Sequence, residues 1–285
     1  MRRVEVLAVG ALTFVAFMFG TGYVVMQEGL DDVRPIPLIA IRFTVAAAAL
    51  SLVGARRPSA PGEWRDGIAA GLMYLVGVGA MTLALDRTDA STVAFLVFLL
   101  VVTVPVLDWM LRGHAPRREV LVAVAMAVAG LILLSGGPSG FGAGEALAVV
   151  AAVAFGWHIL QMGDAAARHD LARFNAIQCA AAAVPCLAAV PFTGGLPSAG
   201  AGWWVAVYAG LAITACTLGP WMWAQRHLPP DRTALILLSE PVFAAVADAV
   251  RGHTMSAAAV TGAALILAAA VVSETIGRRP VVALD

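Results

Sequence analysis

No charged side chain interrupts residues 174–225, which read FNAIQCAAAAVPCLAAVPFTGGLPSAGAGWWVAVYAGLAITACTLGPWMWAQ. A single α-helix of that length would extend about 78 Å, far beyond a hydrocarbon layer of about 30 Å. The chain must therefore turn back within this stretch, and the glycine and proline residues clustered at 191–202 mark the place. One uncharged stretch thus predicts two consecutive membrane spans.

The same apolar character extends over the whole chain. Of its 285 residues, 61% are hydrophobic and 13% are charged, and the mean hydropathy is +0.88. Soluble domains carry about 25% charged residues, so half that share leaves too few to solvate the surface of a soluble protein. The composition disfavours a soluble enzyme, a disordered chain and a nucleic-acid binder, and it indicates a polytopic membrane protein.

Ten segments are long and apolar enough to cross a membrane as helices, since one span needs about 20 residues. Their approximate limits are 5–26, 35–53, 66–85, 90–111, 119–136, 143–163, 172–191, 203–225, 233–250 and 255–276. The apolar runs lack an alternation of period two, which favours helices over a β-barrel. The predicted fold class is all-α integral membrane, with ten transmembrane helices.

The basic residues predict the orientation. All 18 of them are arginine, because lysine is absent. With the amino terminus inside, 14 of the 18 fall on the cytoplasmic side of the ten spans, as the excess of positive charge in cytoplasmic loops requires. Both termini are therefore expected in the cytoplasm. The apolar run after Arg3 continues to about Met26, which is too long for the core of a cleavable signal.

Two short motifs occur once in each half of the chain. The sequence Arg112–His114 (RGH) returns at Arg251–His253 after 139 residues, at the ends of spans four and nine. The sequence Phe19–Gly20 returns at Phe155–Gly156 after 136 residues, in spans one and six. The matching order of motifs and spans predicts an internal repeat of five spans.

The repeat predicts two domains, residues 1–137 and 138–285, which meet at the glycine-rich junction 136–140. An odd number of spans in each domain inverts the second domain relative to the first. Two inverted five-helix repeats around a central cavity near the middle of the membrane are a signature of transporters.

Three features of the chain resemble the drug/metabolite transporter superfamily of the EamA type. They are the order of the spans, Arg42-Phe43 in span two, and Glu240–Phe243 (EPVF) in span nine. The resemblance covers nearly the whole chain. It implies a multi-pass exporter of small metabolites in the bacterial inner membrane, and the likeness within the superfamily is to exporters of aromatic amino acids. Members often carry Gly-Glu after spans four and nine, where this chain has Gly113-His114 and Gly252-His253.

That resemblance also implies how the protein works and what it contacts. We expect alternating access without a cofactor, and two partners: an aromatic amino acid as the small-molecule substrate, and the lipid bilayer. We expect neither a nucleic acid nor an obligate protein partner. Proton coupling and facilitated diffusion both remain open.

Two charged residues lie at membrane depth, where such groups are costly and typical of functional sites. Glu240 precedes Pro241 near the middle of span nine. Its carboxylate either faces the cavity, where it attracts a substrate ammonium or holds a hydrogen-bond network, or pairs with another helix as a structural group. For Arg42, seven residues into span two, we expect a structural role in which it snorkels outward or caps a carbonyl.

Span six carries Trp157, His158 and Gln161, which helical spacing places on one face. Tryptophan offers a stacking surface and the other two offer hydrogen bonds, a combination that suits an amphipathic aromatic ligand. The alternative is a stripe that packs between helices and contains a hydrogen-bonded histidine.

Five further aromatic residues lie in spans that the resemblance assigns to the cavity wall: Phe17, Tyr74, Phe95, Phe98 and Trp221. Each also has a structural interpretation. The Tyr74 phenol would bond a backbone carbonyl, and the phenylalanines would belong to apolar packing stripes.

Other functions are weaker on this sequence. A transporter of the same superfamily with another cargo, such as other amino acids, nucleobases or drugs, is the nearest alternative. An enzyme would need clustered metal ligands or a nucleophile with its base, and the five histidines are scattered. A phosphate-binding loop ending in Gly-Lys is excluded, because lysine is absent. A membrane scaffold would not explain the repeat.

Overall fold

The computed structural model describes residues 3–54, 58–88, 90–135, 142–197, 200–250 and 256–276, and every regular element within these ranges is helical. A 3₁₀ turn at Val190–Thr193 follows α8, and a π-helical segment at Ala209–Ala215 joins α9 to α10. The α-helices are α1 (Arg3–Asp32), α2 (Pro35–Gly54), α3 (Glu63–Leu85), α4 (Ala90–Phe98), α5 (Leu100–Arg112), α6 (Arg118–Ser135), α7 (Ala143–Ala166), α8 (Leu171–Ala189), α9 (Ala201–Tyr208), α10 (Cys216–Ala224), α11 (Pro230–Leu237), α12 (Glu240–Val250) and α13 (Ala257–Ile276).

Seven helical segments in the described ranges are long and apolar enough to cross a membrane. They are Arg3–Gly22, Pro35–Gly54, Glu63–Leu85, Phe95–Arg112, Ala143–Ala166, Leu171–Thr193 and Gly202–Ala224. Large apolar side chains such as Leu52, Val184 and Val250 are exposed on the outside of the bundle, where hydrocarbon rather than water would meet them. The prediction of an all-α membrane protein with several spans is confirmed at this level.

The stretch predicted as one helix over 233–250 is divided between α11 and α12, so the prediction of a continuous helix is wrong here. The division falls just before Pro241. Proline has no N–H to donate to the carbonyl of Leu237, and its ring crowds that carbonyl. At the break, the Ile236 carbonyl accepts from both the backbone N–H and the hydroxyl of Ser239, at 3.0 and 2.8 Å.

Two other predicted spans also contain irregular turns. The span predicted over 90–111 is divided at Leu99 between α4 and α5. The span predicted over 203–225 contains the π-helical segment, in which the Thr214 hydroxyl donates to the carbonyl of Ala209, five residues earlier, at 2.8 Å. Such segments inside α-helices are frequent at functional sites, and this one faces the cavity described below.

Glycines allow several helix pairs to approach closely. Helix α1 packs against α12, α2 against α8, α3 against α7 and α8, α5 against α7, and α6 against α13. A Cβ at Gly20 would overlap the carbonyl oxygen of Glu240, and one at Gly71 would overlap the carbonyl oxygen of Gln178. Since apolar burial gives little driving force between helices in lipid, close packing of this kind is what holds them together.

Replacing Gly71 by valine is expected to reduce the yield of folded protein severalfold, because α3 must move away from α8 to admit the side chain. Overpacking costs about 1–3 kcal/mol. Gly79 on the same helix is the matched control, since a Cβ there would meet nothing within 4 Å. The measurement is the monodisperse fraction and the melting temperature in detergent. Equal losses in Gly71→Val and Gly79→Val would contradict this account.

Candidate functional site

A cavity lies among α1, α2, α3, α7 and the interrupted helices α4–α5, α9–α10 and α11–α12. Its empty space measures about 870 Å³, including the part that is open at the mouth. The described residues that line it are Phe19, Gly22, Arg42, Tyr74, Val78, Met81, Thr82, Leu85, Val97, Phe98, Leu100, Phe155, Ile159, Ile213, Trp221, Leu237 and Glu240. Most of this wall is aliphatic or aromatic; its one basic side chain among the described lining residues is Arg42 and its one carboxyl side chain is Glu240.

Arg42 reaches into the bundle rather than toward lipid or water. The residue is 5% exposed. Its Nε donates to the Thr214 hydroxyl oxygen at 2.8 Å, and one terminal nitrogen lies 3.5 Å from the Tyr74 hydroxyl. The expectation that Arg42 snorkels outward or caps a carbonyl is therefore wrong. The π-helical segment brings Thr214 close to α2, which gives the guanidinium a hydroxyl partner inside the protein.

Glu240 begins α12 at the break before Pro241 and is 8% exposed. A carboxylate is favoured at this position, because the first turn of a helix carries partial positive charge. Within the described part of the chain, no side chain hydrogen-bonds this carboxylate, and it forms no ion pair with Arg42. The described residues therefore leave its oxygens available to a solute in the cavity.

The aromatic wall is built around Tyr74 and Trp221. The Tyr74 ring stacks on His158 with centroids 4.6 Å apart, and it meets Phe43 edge-on at 5.4 Å. Trp221 meets His158 edge-on at 5.6 Å and Phe19 at 5.9 Å. These contacts hold the faces of the wall in fixed orientations. Among the described residues, the buried indole N–H of Trp221 has no hydrogen-bond acceptor.

The residues predicted as one stripe on span six point in different directions. His158 is fully buried behind Tyr74, and its Nε2 is 2.9 Å from Gln178 Oε1. Trp157 is 37% exposed on the outer surface of α7, because adjacent residues of a helix differ by about 100° in direction. Gln161 is half-buried, and its Oε1 has no hydrogen-bond donor within the described ranges. On α7, the residues that line the cavity are Phe155 and Ile159.

The other predicted site residues divide between the cavity and its surroundings. Tyr74, Phe98, Trp221 and Glu240 line the cavity. Phe95 is buried but is not part of the lining. Phe17 is 46% exposed and packs edge-on against Phe243 at 5.6 Å.

Sequence reasoning missed three prominent lining residues: Arg42, Phe19 and Phe155. The sequence did mark the two phenylalanines, because they belong to the Phe-Gly motif that occurs once in each half. For Arg42, no local pattern distinguishes a guanidinium that enters the cavity from one that snorkels outward.

Ion pairs connect several helices at one end of the bundle. Arg112 binds Asp108 on its own helix at 2.9 Å, as its i,i+4 spacing predicted, and also binds Asp164 of α7 at 2.7 Å. Asp66 of α3 binds His169 at 2.9 Å, in the turn between α7 and α8. This group of contacts, which we call the ion-pair layer, also contains Arg168, which binds Asp66 at 3.2 Å, and Arg173, which binds Glu63 at 3.0 Å.

The opposite end has fewer charged contacts among the described residues. Arg34 donates to the Thr193 carbonyl at 2.9 Å, and the Thr88 hydroxyl donates to the Glu145 carboxylate. The cavity extends along α3 from Tyr74 to Leu85, the last residue of that helix. The cavity thus approaches the end opposite the ion-pair layer.

Membrane-length helices around a central cavity with a few polar groups are typical of membrane transporters. Among the described residues, no group of three or more His, Cys, Asp or Glu could hold a metal ion.

The chain belongs to the EamA-like transporter family, whose model matches residues 6–136 and again 142–275. It is 28% identical over 149 residues to an "Uncharacterized transporter" of Archaeoglobus fulgidus. The match covers 52% of this chain and 46% of the relative, so the chain spans about half of that relative's length. A solved crystal structure of a protein is similar with a TM-score of 0.77 over 94% of this chain and 96% of that one. At 21% identity, this last likeness concerns the fold alone.

Proposed function

We propose that the protein is a secondary transporter that exports aromatic amino acids across the bacterial inner membrane by alternating access. The observation that carries the proposal is the composition of the cavity wall. Tyr74, Phe98 and Trp221 offer aromatic surface to an apolar side chain, while Arg42 and Glu240 offer opposite charges to a polar head group. An amino acid with an aromatic side chain has both parts.

We also propose that ten membrane spans form two inverted repeats, residues 1–137 and 138–285. Support comes from the two successive matches to the family model and from the helix contacts. The packing of α1 on α12 has a counterpart in the packing of α7 on α5. The repeated Phe-Gly motif takes part in both: a Cβ at Gly20 would meet α12, and one at Gly156 would meet Thr103 of α5. The junction 136–140 and Arg251–His253 lie outside the described residues.

Alternating access then assigns a role to the ion-pair layer. If both termini are cytoplasmic, the beginning of α3 and the end of α7 lie on the cytoplasmic side, and the ion-pair layer closes that side. The cavity approaches the external side along α3. In this proposal, the cytoplasmic side opens when these ion pairs separate.

Efflux from proteoliposomes tests the cargo. Vesicles are loaded with labelled phenylalanine, tryptophan, threonine or adenine, with and without a pH gradient. The proposal expects phenylalanine and tryptophan to leave faster than threonine and adenine, and the gradient reports whether protons are coupled. Rapid efflux of adenine or threonine with no efflux of either aromatic amino acid would replace the proposed cargo with another one.

Two tryptophans provide a matched test of the site. Trp221→Ala is expected to lower the apparent affinity for tryptophan about three- to tenfold, because an aromatic contact of about 0.5–1.5 kcal/mol is lost. Trp157→Ala removes the same side chain from the outer surface of α7 and should leave the affinity unchanged. The measurement is the concentration dependence of efflux at equal protein incorporation. A larger effect at Trp157 than at Trp221 would place the binding site elsewhere.

A further inference from the structure

We propose that Arg42 binds the carboxylate of the substrate, so that Arg42 and Glu240 together restrict the cavity to zwitterionic α-amino acids. This inference rests on the proposed function and names the recognition chemistry of the same cavity. Four observations support it: where Arg42 lies, which of its N–H groups are used, how it relates to Glu240, and which surfaces surround it.

The first observation is position. Arg42 lies on the cavity wall and is 5% exposed. Isolating a guanidinium from water is costly unless a counter-charge or strong hydrogen bonds compensate it. The described residues supply no carboxylate within ion-pair distance of Arg42. A carboxylate brought by the solute would supply a counter-charge in direct contact with the guanidinium.

The second observation concerns hydrogen-bonding capacity. A guanidinium has five N–H donors in a planar fork that matches both oxygens of a carboxylate. Described residues accept two of them, one through the Thr214 hydroxyl and one, more weakly, through the Tyr74 hydroxyl. The Thr214 hydroxyl is fixed in turn by the Ala209 carbonyl. The guanidinium is therefore oriented, yet retains donors for a two-oxygen contact.

The third observation is the separation of the two charges. Arg42 and Glu240 line the same cavity, but they do not form an ion pair with each other. Had they paired, each would have neutralised the other. As they stand, a cationic amine would compensate Glu240 alone and an anionic acid would compensate Arg42 alone. A solute with an ammonium and a carboxylate compensates both.

The fourth observation is the apolar surface between and around these charges. Phe19, Phe98 and Phe155 line the cavity together with Trp221. These side chains give a zwitterion with a large apolar substituent more contact than a small polar one. The opposite charges account for the head group, and the aromatic wall accounts for the side chain.

The test uses the purified full-length protein and compares phenylalanine with two analogues, one in which a neutral amide replaces the carboxylate and one that lacks the ammonium group. Competition against labelled phenylalanine is measured for phenylalanine, phenylalaninamide and 3-phenylpropionate. Wild type should bind phenylalanine at least about tenfold better than either analogue, which each lack one charged hydrogen-bonding group. Arg42→Gln should weaken phenylalanine binding about 10- to 100-fold and change phenylalaninamide binding by less than about threefold. Glu240→Gln should instead abolish the discrimination against 3-phenylpropionate.

Arg34→Gln is the matched control, because Arg34 donates to the Thr193 carbonyl away from the cavity; it should leave every affinity unchanged. If the role of Arg42 were purely structural, Arg42→Gln would weaken the binding of phenylalanine and of phenylalaninamide equally. That result would overturn the proposal. If that variant does not fold, Thr214→Val removes the partner that orients the guanidinium, and Arg42→Lys keeps the charge. Both variants should then weaken the binding of phenylalanine more than the binding of phenylalaninamide.

Failure of the proposed cargo gives a different result. If wild type binds no aromatic amino acid, direct binding of leucine, threonine and their amides is measured instead. A preference for acid over amide that disappears in Arg42→Gln would keep the role of Arg42 and reject the aromatic cargo. A wild type that shows no preference for the acid in any of the three acid–amide pairs overturns the inference about Arg42.

Discussion

Glu240→Gln is expected to lower phenylalanine efflux at subsaturating concentration about 10- to 100-fold, an effect as large as that expected for Arg42→Gln. A hydrogen bond to a charged group contributes about 1.5–3 kcal/mol, which corresponds to this range. Glutamine keeps the size of the side chain and its place at the beginning of α12. The variant therefore removes the negative charge from the cavity with little change in packing.

The control is a glutamate in a matched local position. Glu119 also lies in the first turn of its helix, α6, but it is exposed and does not line the cavity. Glu119→Gln should show wild-type efflux. Efflux is measured from proteoliposomes at equal incorporation, with the melting temperature as a check of folding. Wild-type efflux in Glu240→Gln would remove the carboxylate from the binding site and favour the structural interpretation.

Joining α5 to α7 across the ion-pair layer is expected to reduce efflux more than tenfold. Arg112 and Asp164, which meet at 2.7 Å, are both replaced by cysteine and joined with a short bifunctional methanethiosulfonate, which forms one disulfide with each thiol and releases sulfinate. The proposed cycle requires these helices to separate before substrate can enter from the cytoplasm. The covalent link keeps this end closed, and cleavage of the link by a reducing agent should restore efflux.

The exposed native Cys216 must first be replaced, because it would also react with the reagent; Cys179 and Cys186 are buried. The matched control joins Asp108→Cys to Arg112→Cys. These positions lie one turn apart on α5, so the link cannot restrain α5 against α7. Undiminished efflux in the linked Arg112–Asp164 pair, with full modification shown by mass spectrometry, would reject opening at the ion-pair layer.

The helical class of the fold was predictable from the sequence, but its irregular turns were only partly so. Pro241 marks the break between α11 and α12, because the missing N–H is a local property of the residue. The division at Leu99 and the π-helical segment carry no comparable mark. They arise where side-chain hydroxyl groups donate hydrogen bonds to backbone carbonyls and neighbouring helices pack against the irregular turn. The Thr214 hydroxyl donates to the Ala209 carbonyl in this way.

Prediction of the cavity residues depended on knowing which side of each helix faces inward. In a soluble protein, the boundary between apolar and polar faces supplies that direction. A membrane helix is apolar on the lipid side and on the protein side alike, so the boundary is missing. Trp157 was therefore predicted as a site residue and Phe155 was not, although the structure exposes the first and places the second on the cavity wall.

The free energy of inserting a helix into a membrane is a sum over about 20 neighbouring residues. The apolar runs alone were therefore enough to predict helices and several spans. The spacing of the Phe-Gly motif also lies in the chain itself. The environment of Arg42 does not, because its partner Thr214 is 172 positions away. The rotation of α2 against the π-helical segment decides whether that guanidinium meets lipid, water or a hydroxyl in the cavity. Contacts over such distances form when the helices pack, and no local pattern of residues encodes them.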